Sequence, residues 1–366
     1  MLGLEEVNEE TILPGFEDEN EEEIIMPEFE DEDETVLPGF EEEDENEESM
    51  LPGFEEEKEE IDASNEYPEL DMSQIINQNQ KLVAFVGTSK NGTSFLVNNV
   101  AEILSANGVD TAILDLTKNR NSYFIYTKNN EQLRNQSNYI TNNLKAGISN
   151  GIIEHKNLTI YTSPIENDEN LEAVEPIVET LMRTHTVVLM DCDYTTPMKY
   201  FKYASEIYLV QSMDILTIQP LTAFLRQLAE KGMFEPSKAR VVLNKFIKTR
   251  EITENILIGG MSIYNDPGMA VRKELFDRKN VPSIVIPFNL KSYLRYLDGL
   301  VMCDVSLKGY DKEFVQDLNR LANMVYTNKN TNSKKKEKYM PPSVKNNNSG
   351  FSPRVNDTLN QMRKNY

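Results

Sequence analysis

The amino-acid sequence predicts an α/β fold, with a mainly parallel, twisted sheet, helices on both faces and a disordered tail on each side. Three observations support this prediction. Short apolar runs alternate with amphipathic segments, a glycine-containing loop joins the first apolar run to the first helix, and both ends of the chain are highly charged. Such alternation is typical of βαβ units, whose strands are covered on both faces.

The charge distribution divides the 366 residues into three regions. The formal net charge is -24, yet residues 1–70 hold 31 acidic residues and one basic residue, whereas residues 328–366 hold nine basic and two acidic residues. Segments with so much like charge and so few apolar residues cannot bury enough surface to offset their ordering entropy. We therefore expect residues 1–70 and 328–366 to be disordered and residues 78–327 to form one domain.

Seven apolar runs have the length and composition of buried strands. They are residues 82–86, 111–114, 158–161, 187–190, 206–210, 239–243 and 283–286. We expect one helix after the glycine loop, one that includes Leu171, and one that includes Leu216. Ligands of parallel sheets bind at the carboxyl ends of the strands, and several polar residues follow the predicted strands there.

The loop after the first predicted strand has the shape of a phosphate-binding loop, G-x-x-x-x-G-K-[ST]. Its glycines and final hydroxyl match, but a threonine replaces the lysine. Backbone N–H groups and a helix N-terminus can still bind an anion there, without the lysine charge that assists phosphoryl transfer. We predict nucleotide binding by Gly87, Thr88, Ser89, Lys90, Asn91, Gly92, Thr93 and Ser94.

Asp191 ends an apolar strand, the Walker B pattern in which a carboxylate reaches Mg²⁺ directly or through water. A strand that ends in aspartate is common, and by itself it indicates a loop or capping residue equally well. Together with the loop, at this order and spacing, it favours a site that descends from a magnesium site. The candidate ligands are Ser94, Asp115 and Asp191.

The acidic region contains an internal repeat in which an aliphatic residue, Leu, Pro, Gly and Phe precede a run of acids. One interpretation is a solvated acidic leader. The other is an array of short linear motifs, each presenting a Leu and a Phe on a Pro-Gly turn to a protein partner. The candidate partner-binding residues are Leu13, Phe16, Leu37, Phe40, Leu51 and Phe54.

Five motifs in this order resemble the deviant-Walker ATPases of the ParA/MinD type. They are the loop at residues 87–94, the Asp115 segment, the Asp191 strand, the strand ending in Asn244, and Ile-Pro-Phe-Asn at residues 286–289. The resemblance implies a P-loop NTPase-like fold for about residues 80–326, with ATP and Mg²⁺ as cofactors. It also implies that Asn244 is a nucleotide-binding residue and that Pro287 and Phe288 lie near the adenine.

The departures from this family fall where its chemistry lies. The signature lysine corresponds to Thr88, the P-loop lysine to Thr93, and the second aspartate after strand two, which helps to orient the attacking water, to Thr117. Lys90 is a candidate substitute, although its position in the family points away from the phosphates. The loss of these catalytic residues is similar to that in the TadZ/CpaE-like proteins of pilus assembly.

We therefore expect a degenerate ParA/MinD-like protein that is a localisation or scaffold factor, for example in pilus, secretion or conjugation machinery, with weak or no ATP hydrolysis. The alternative is an active ATPase in DNA partition or conjugative transfer, and a tyrosine-kinase-like protein is a weaker third. We expect a cytoplasmic protein, recruited to a membrane-associated machine through its acidic repeats. The basic tail is a candidate contact for a membrane surface or nucleic acid, and homodimerisation is left open.

Overall fold

The computed structural model of this protein describes residues 69–75, 77–165, 171–265 and 272–327. The Leu-Pro-Gly-Phe repeats and the basic tail lie outside the described residues. The predictions made for them, including their disorder and their partners, remain predictions.

The described residues contain ten strands, and eight of them form one sheet. In chain order they are β1 (Lys81–Gly87), β2 (Thr111–Asp115), β3 (Ile152–His155), β4 (Leu158–Tyr161), β5 (Val187–Cys192), β6 (Glu206–Gln211), β7 (Ala239–Phe246), β8 (Ile263–Asn265), β9 (Arg272–Glu274) and β10 (Ser283–Pro287). The large sheet has the order β10-β7-β6-β1-β5-β2-β4-β3, and β8 pairs with β9. Neighbours in the large sheet are parallel, except for the antiparallel pair of β3 and β4. The predicted mainly parallel α/β sheet is confirmed, with all seven predicted strands.

The central strands are buried because their sequences are apolar on both faces. Every residue from Leu82 to Val86 in β1 is fully buried, and so is every residue from Val187 to Met190 in β5. Successive side chains of a strand point to opposite faces, so this pattern requires cover on both sides of the sheet. The two strands are direct neighbours, with Phe85 opposite Asp191.

Ten α-helices in the described part of the chain surround the strands. They are α1 (Met72–Ile75), α2 (Thr93–Ala106), α3 (Asn121–Tyr126), α4 (Glu131–Lys145), α5 (Val174–Thr184), α6 (Lys199–Tyr203), α7 (Ile218–Glu230), α8 (Glu254–Met261), α9 (Leu290–Val301) and α10 (Lys312–Val325). Helix α2 packs against α10, and α4 packs against α5. No described helix is long and apolar enough to cross a bilayer.

Two predicted helices begin later than the sequence suggested. Leu171 precedes α5, which begins at Val174 with Pro176 in its first turn, where the missing N–H of proline causes no loss. Leu216 lies in a short 3₁₀ helix, Ile215–Thr217, and the Asp214 side chain caps this helix by accepting a hydrogen bond from the backbone N–H of Leu216. Leu171 and Leu216 therefore lie in the segments that precede α5 and α7, not in the helices themselves.

Strand β3 was not predicted. It is an edge strand with a single neighbour, and Ile153 within it is 75% exposed. Its four residues include Glu154 and His155, so the segment lacks the continuous apolar run that marks the central strands. An edge strand buries less surface and therefore leaves a weaker sequence pattern.

Candidate functional site

A cavity of about 350 Å³ lies at the carboxyl edge of the sheet, where the glycine loop follows β1. This volume is within the range of small-molecule sites. Of the predicted site residues, the cavity is lined by Gly87, Thr88, Ser89, Lys90, Gly92, Thr93, Ser94, Asp191, Asn244, Pro287 and Phe288. Asn91 and Asp115 are buried and do not line it.

Both loop glycines are required by the local geometry. A Cβ atom on Gly87 would lie 2.6 Å from the backbone oxygen of Val210 in the neighbouring strand. Gly92 immediately precedes α2 with a φ of 87°, in the left-handed region that favours glycine, and a Cβ there would lie 2.5 Å from Nδ2 of Asn244. The first residues of α2, Thr93 and Ser94, line the cavity directly after this loop.

Side chains from two other strands hold the loop in place. Asn244, near the end of β7, donates from Nδ2 to the backbone oxygen of Asn91 over 2.8 Å. Asn91 donates from Nδ2 to the backbone oxygen of Val210 over 3.3 Å, and its Oδ1 accepts from the Ser212 hydroxyl at 2.7 Å. Asn91 is therefore a brace of the loop, and Asn244 both braces the loop and lines the cavity.

Asp191 is the buried carboxylate of the cavity. It is 1% exposed, and its Oδ1 has no hydrogen-bond partner. Burial raises its pKa well above the ordinary range, the charge of Asp115 raises it further, and a hydrogen bond from Ser94 opposes the shift. Buried oxygens usually have a hydrogen-bond partner. A bound cation, or a proton on the carboxyl group, would satisfy the Oδ1 atom of Asp191.

Asp115 lies directly opposite Asp191 on the neighbouring strand, but its oxygens are already used. Oδ1 accepts from the backbone N–H of Thr117 at 3.1 Å and from its hydroxyl at 2.7 Å, and Oδ2 accepts from the backbone N–H of Ser122 at 2.9 Å. Burial raises the pKa of Asp115, and the Thr117 hydrogen bond opposes this. Asp115 thus stabilises the loop after β2, and the structure does not direct it into the cavity as the predicted metal ligand.

No cluster of three or more His, Cys, Asp or Glu side chains that could hold a metal occurs among the described residues. The cavity lining includes the Ser94 hydroxyl and the carboxylates of Asp191 and Asp193, and both oxygens of Asp193 already accept hydrogen bonds from backbone N–H groups. Mg²⁺ commonly takes one or two protein oxygens and completes its shell with water and substrate phosphates. The orphaned Oδ1 of Asp191 fits that arrangement.

The threonines at the lysine positions of the motif present hydroxyls. Oγ1 of Thr88 and Oγ1 of Thr93 are buried and have no hydrogen-bond partner. Thr93 is 8% exposed and begins α2. A hydroxyl can donate to an anion but supplies no charge.

Sequence reasoning did not select Lys245, which follows Asn244 in β7 and lines the cavity. Its Nζ donates to the backbone oxygen of Lys90 over 2.8 Å and lies 5.8 Å from the ring centre of Tyr293. A cation directly after the motif asparagine was visible in the sequence, but only the structure shows that its ammonium group reaches the glycine loop.

One part of the cavity lining, here called the aromatic wall, is aromatic and apolar. Pro287 and Phe288 border it from the end of β10, and Tyr293 and Tyr296 extend it along α9. Burial raises the pKa of Tyr296 to about 12, so this phenol stays neutral at physiological pH. Such a wall can stack a planar ring, and the sequence did not predict the contribution of α9.

No protein-family model matches the chain, and no curated protein sequence matches it. Among solved structures, a ParA family ATPase from Chlorobium tepidum TLS aligns with a TM-score of 0.50 and 15% identity, covering 67% of this chain and 98% of that chain. A putative plasmid partition protein from Borrelia burgdorferi B31, bound to AMPPNP, aligns with a TM-score of 0.47 and 12% identity over 67% and 98% of the two chains. The first of these comparisons shows that this chain has the fold of a ParA family ATPase.

Proposed function

We propose that this protein binds a nucleoside triphosphate with Mg²⁺ in the loop cavity, hydrolyses it weakly or not at all, and is a localisation or scaffold factor. The observation that carries the proposal is a glycine loop that keeps its geometry while threonines occupy both lysine positions, Thr88 and Thr93. Binding requires the loop, whereas efficient transfer also requires the charges.

The binding half of the proposal rests on the shape and polarity of the cavity. The loop amides and the N-terminus of α2 would bind the phosphates, and Pro287 and Phe288 would border the base. Ser94 and Asp191 would hold Mg²⁺, which neutralises phosphate charge when it is bound. Aromatic side chains and the polar loop line the same cavity, and a nucleotide needs both kinds of surface.

The weak-turnover half rests on three positions. Removal of one donor that stabilises the transition state typically lowers kcat by about 10²- to 10³-fold. Thr88 and Thr93 carry no charge, and the Thr117 hydroxyl donates to Asp115 and is neutral. No carboxylate at position 117 can orient an attacking water, so these losses occur together.

The scaffold role rests on the acidic repeats. Burial of one Leu and one Phe would contribute roughly 3–6 kcal/mol before ordering costs, so a single repeat would bind weakly and several would bind with avidity. We propose that the repeats recruit a protein partner in the cytoplasm, at a membrane-associated machine such as the pilus systems served by TadZ/CpaE-like proteins. Contact of the basic tail with a membrane surface or nucleic acid, and homodimerisation, are further parts of this proposal.

The test separates binding from turnover. Calorimetry with ATP and Mg²⁺ should show saturable binding to the full chain, while phosphate release stays far below about 1 s⁻¹, the low end of ordinary enzyme rates. Absence of binding at millimolar ATP would contradict the nucleotide proposal. Turnover near 1 s⁻¹ would contradict the scaffold interpretation and support the second candidate.

The second candidate is a working ATPase of the ParA/MinD type, in DNA partition or conjugative transfer. The observation that favours it is the ammonium group of Lys245, 2.8 Å from the loop backbone, which returns a positive charge to the cavity. The same turnover measurement distinguishes the two candidates.

A further inference from the structure

Lys245 occupies an unusual position for a lysine at the end of a strand. Its φ is 54°, in the left-handed region that residues with a side chain rarely adopt. Lys90, whose carbonyl oxygen accepts from the Lys245 ammonium, also has a positive φ, of 70°. Strained backbones of this kind persist where the surrounding structure imposes them and cluster at binding sites.

The Lys245 ammonium is partly buried and forms no salt bridge with a carboxylate of the described residues. Burial lowers its pKa, and no acidic neighbour compensates. A cation that is taken partly out of water without a counter-charge is unfavourable. An anionic ligand in the cavity would remove this cost.

Two independent features of the cavity also point to an anion beside Lys245. The buried hydroxyl of Thr93 has no partner at the N-terminus of α2, which attracts negative charge. The Cε atom of Lys245 lies 3.5 Å from where a Cβ on Gly92 would stand, so the lysine stem runs along the loop itself. Lys245 therefore lies beside Gly92, the residue before Thr93, while the Thr93 hydroxyl lies on the side of the loop where Gly87 stands.

We propose that Lys245 binds the phosphate chain of a nucleoside polyphosphate and so supplies, from β7, the positive charge that the glycine loop lacks. This inference rests on the proposed nucleotide binding and assigns its phosphate contact to a residue outside the loop motif. Lys245 would exchange its bond to the Lys90 carbonyl oxygen for a phosphate oxygen. Lys245 would strengthen binding without restoring turnover, because position 117 still lacks its carboxylate.

The experiment compares Lys245→Met with Lys245→Arg and with Lys248→Met, which removes the same charge from an exposed position just after β7. Binding of ATP and of inorganic triphosphate is measured by calorimetry on the full chain, in EDTA so that Mg²⁺ does not contribute. Lys245→Met should weaken both ligands about tenfold or more, the scale of one charge-assisted hydrogen bond. Lys245→Arg should stay within about threefold of the unmodified protein, and Lys248→Met should bind like it.

The outcomes separate this inference from the nucleotide proposal. If Lys245→Met binds both ligands like the unmodified protein, the inference is overturned and nucleotide binding stands. If inorganic triphosphate binds through Lys245 but ATP does not bind, the phosphate contact of Lys245 stands and the nucleotide proposal fails. If the unmodified protein binds neither ligand, both fail.

A second measurement needs no variant, in case Lys245→Met does not fold. Acetylation of lysines in the unmodified protein, followed by mass spectrometry, should show that inorganic triphosphate protects Lys245 and leaves Lys248 as reactive as before. Equal reactivity of Lys245 with and without saturating triphosphate would overturn the inference.

Discussion

Replacement of Asp191 by Asn should stabilise the ligand-free protein at neutral and alkaline pH. Asp191 is 1% exposed, has an oxygen without a partner and lies opposite Asp115, so its charged form is disfavoured in the folded state. Asn has nearly the same shape and carries no charge. The protein should gain stability although a conserved-looking motif residue is lost.

The sign follows from the direction of the pKa shift. The pKa of Asp191 is raised by burial first and by Asp115 second, so the folded state holds this proton more tightly than the unfolded chain does. The associated stability is fully present below the unfolded pKa, about 3.9, and is lost as the pH rises through the folded pKa. Asp191→Asn should therefore match the unmodified protein near pH 4 and exceed it at pH 8.

The magnitude follows from the free energy of a pKa shift, about 1.4 kcal/mol per unit, so a pKa held well above its ordinary range predicts a gain on the order of 1–3 kcal/mol at pH 8. For a domain of this size, each kcal/mol shifts Tm by roughly 2–4 °C. Thermal unfolding at a series of pH values measures the effect, with the exposed Asp304→Asn as a control that should change little. Destabilisation at pH 8, or an equal gain at pH 4 and pH 8, would refute the argument, and the gain should be accompanied by weaker Mg²⁺-dependent nucleotide binding.

Three further changes test the loop and the repeats. Gly92→Ala should destabilise the domain by about 1–3 kcal/mol in chemical denaturation, because its Cβ would lie 2.5 Å from Nδ2 of Asn244; Gly232→Ala, with a φ of 68° and open space around it, is the control for the left-handed backbone alone. Thr93→Lys should leave phosphate release near its original rate, since two other catalytic positions remain changed, and full recovery of turnover would contradict this. Replacement of Phe16, Phe40 and Phe54 together by Ala should reduce partner recruitment in pull-downs far more than any single change, and Tm should stay the same. Normal co-purification of this triple variant would leave only the interpretation of the acidic region as a solvated leader.

The central sheet could be predicted because its strands are apolar on both faces. Residues 82–86 and 187–190 contain only apolar side chains, and the structure buries all of them. Strand β3 escaped prediction because an edge strand with exposed Ile153 buries too little to leave that pattern. The bounds of α5 and α7 were wrong because apolar residues also occur in the turns that precede a helix, buried in the case of Leu171 and exposed in the case of Leu216.

The sequence predicted the parts of the candidate site whose positions depend on the backbone. Two glycines and a strand-ending aspartate locate the loop and Asp191, and both line the cavity. What a side chain contacts cannot be deduced from its place in a motif: the hydrogen bonds of Asp115 to Thr117 and Ser122 were not foreseen, and its role as a metal ligand stays a prediction. Lys245 was missed because its motif is defined by Asn244, and the sequence does not show that the next side chain reaches the carbonyl oxygen of Lys90 in the loop.

The contacts of the loop also indicate how a nucleotide would act on this protein. Asn91 and Asn244 hold the loop through hydrogen bonds within the protein, so the shape of the site has support that does not depend on a ligand. Binding to a formed site stabilises the folded state by mass action, by about 2.7 kcal/mol at a ligand concentration of 100 Kd, which raises Tm by roughly 5–10 °C in a domain of this size. This rise needs no hydrolysis, so ATP and a non-hydrolysable analogue should shift Tm equally in differential scanning fluorimetry. A shift that appears with ATP and disappears with the analogue would indicate a protein whose state depends on turnover, and would favour the working ATPase over the scaffold.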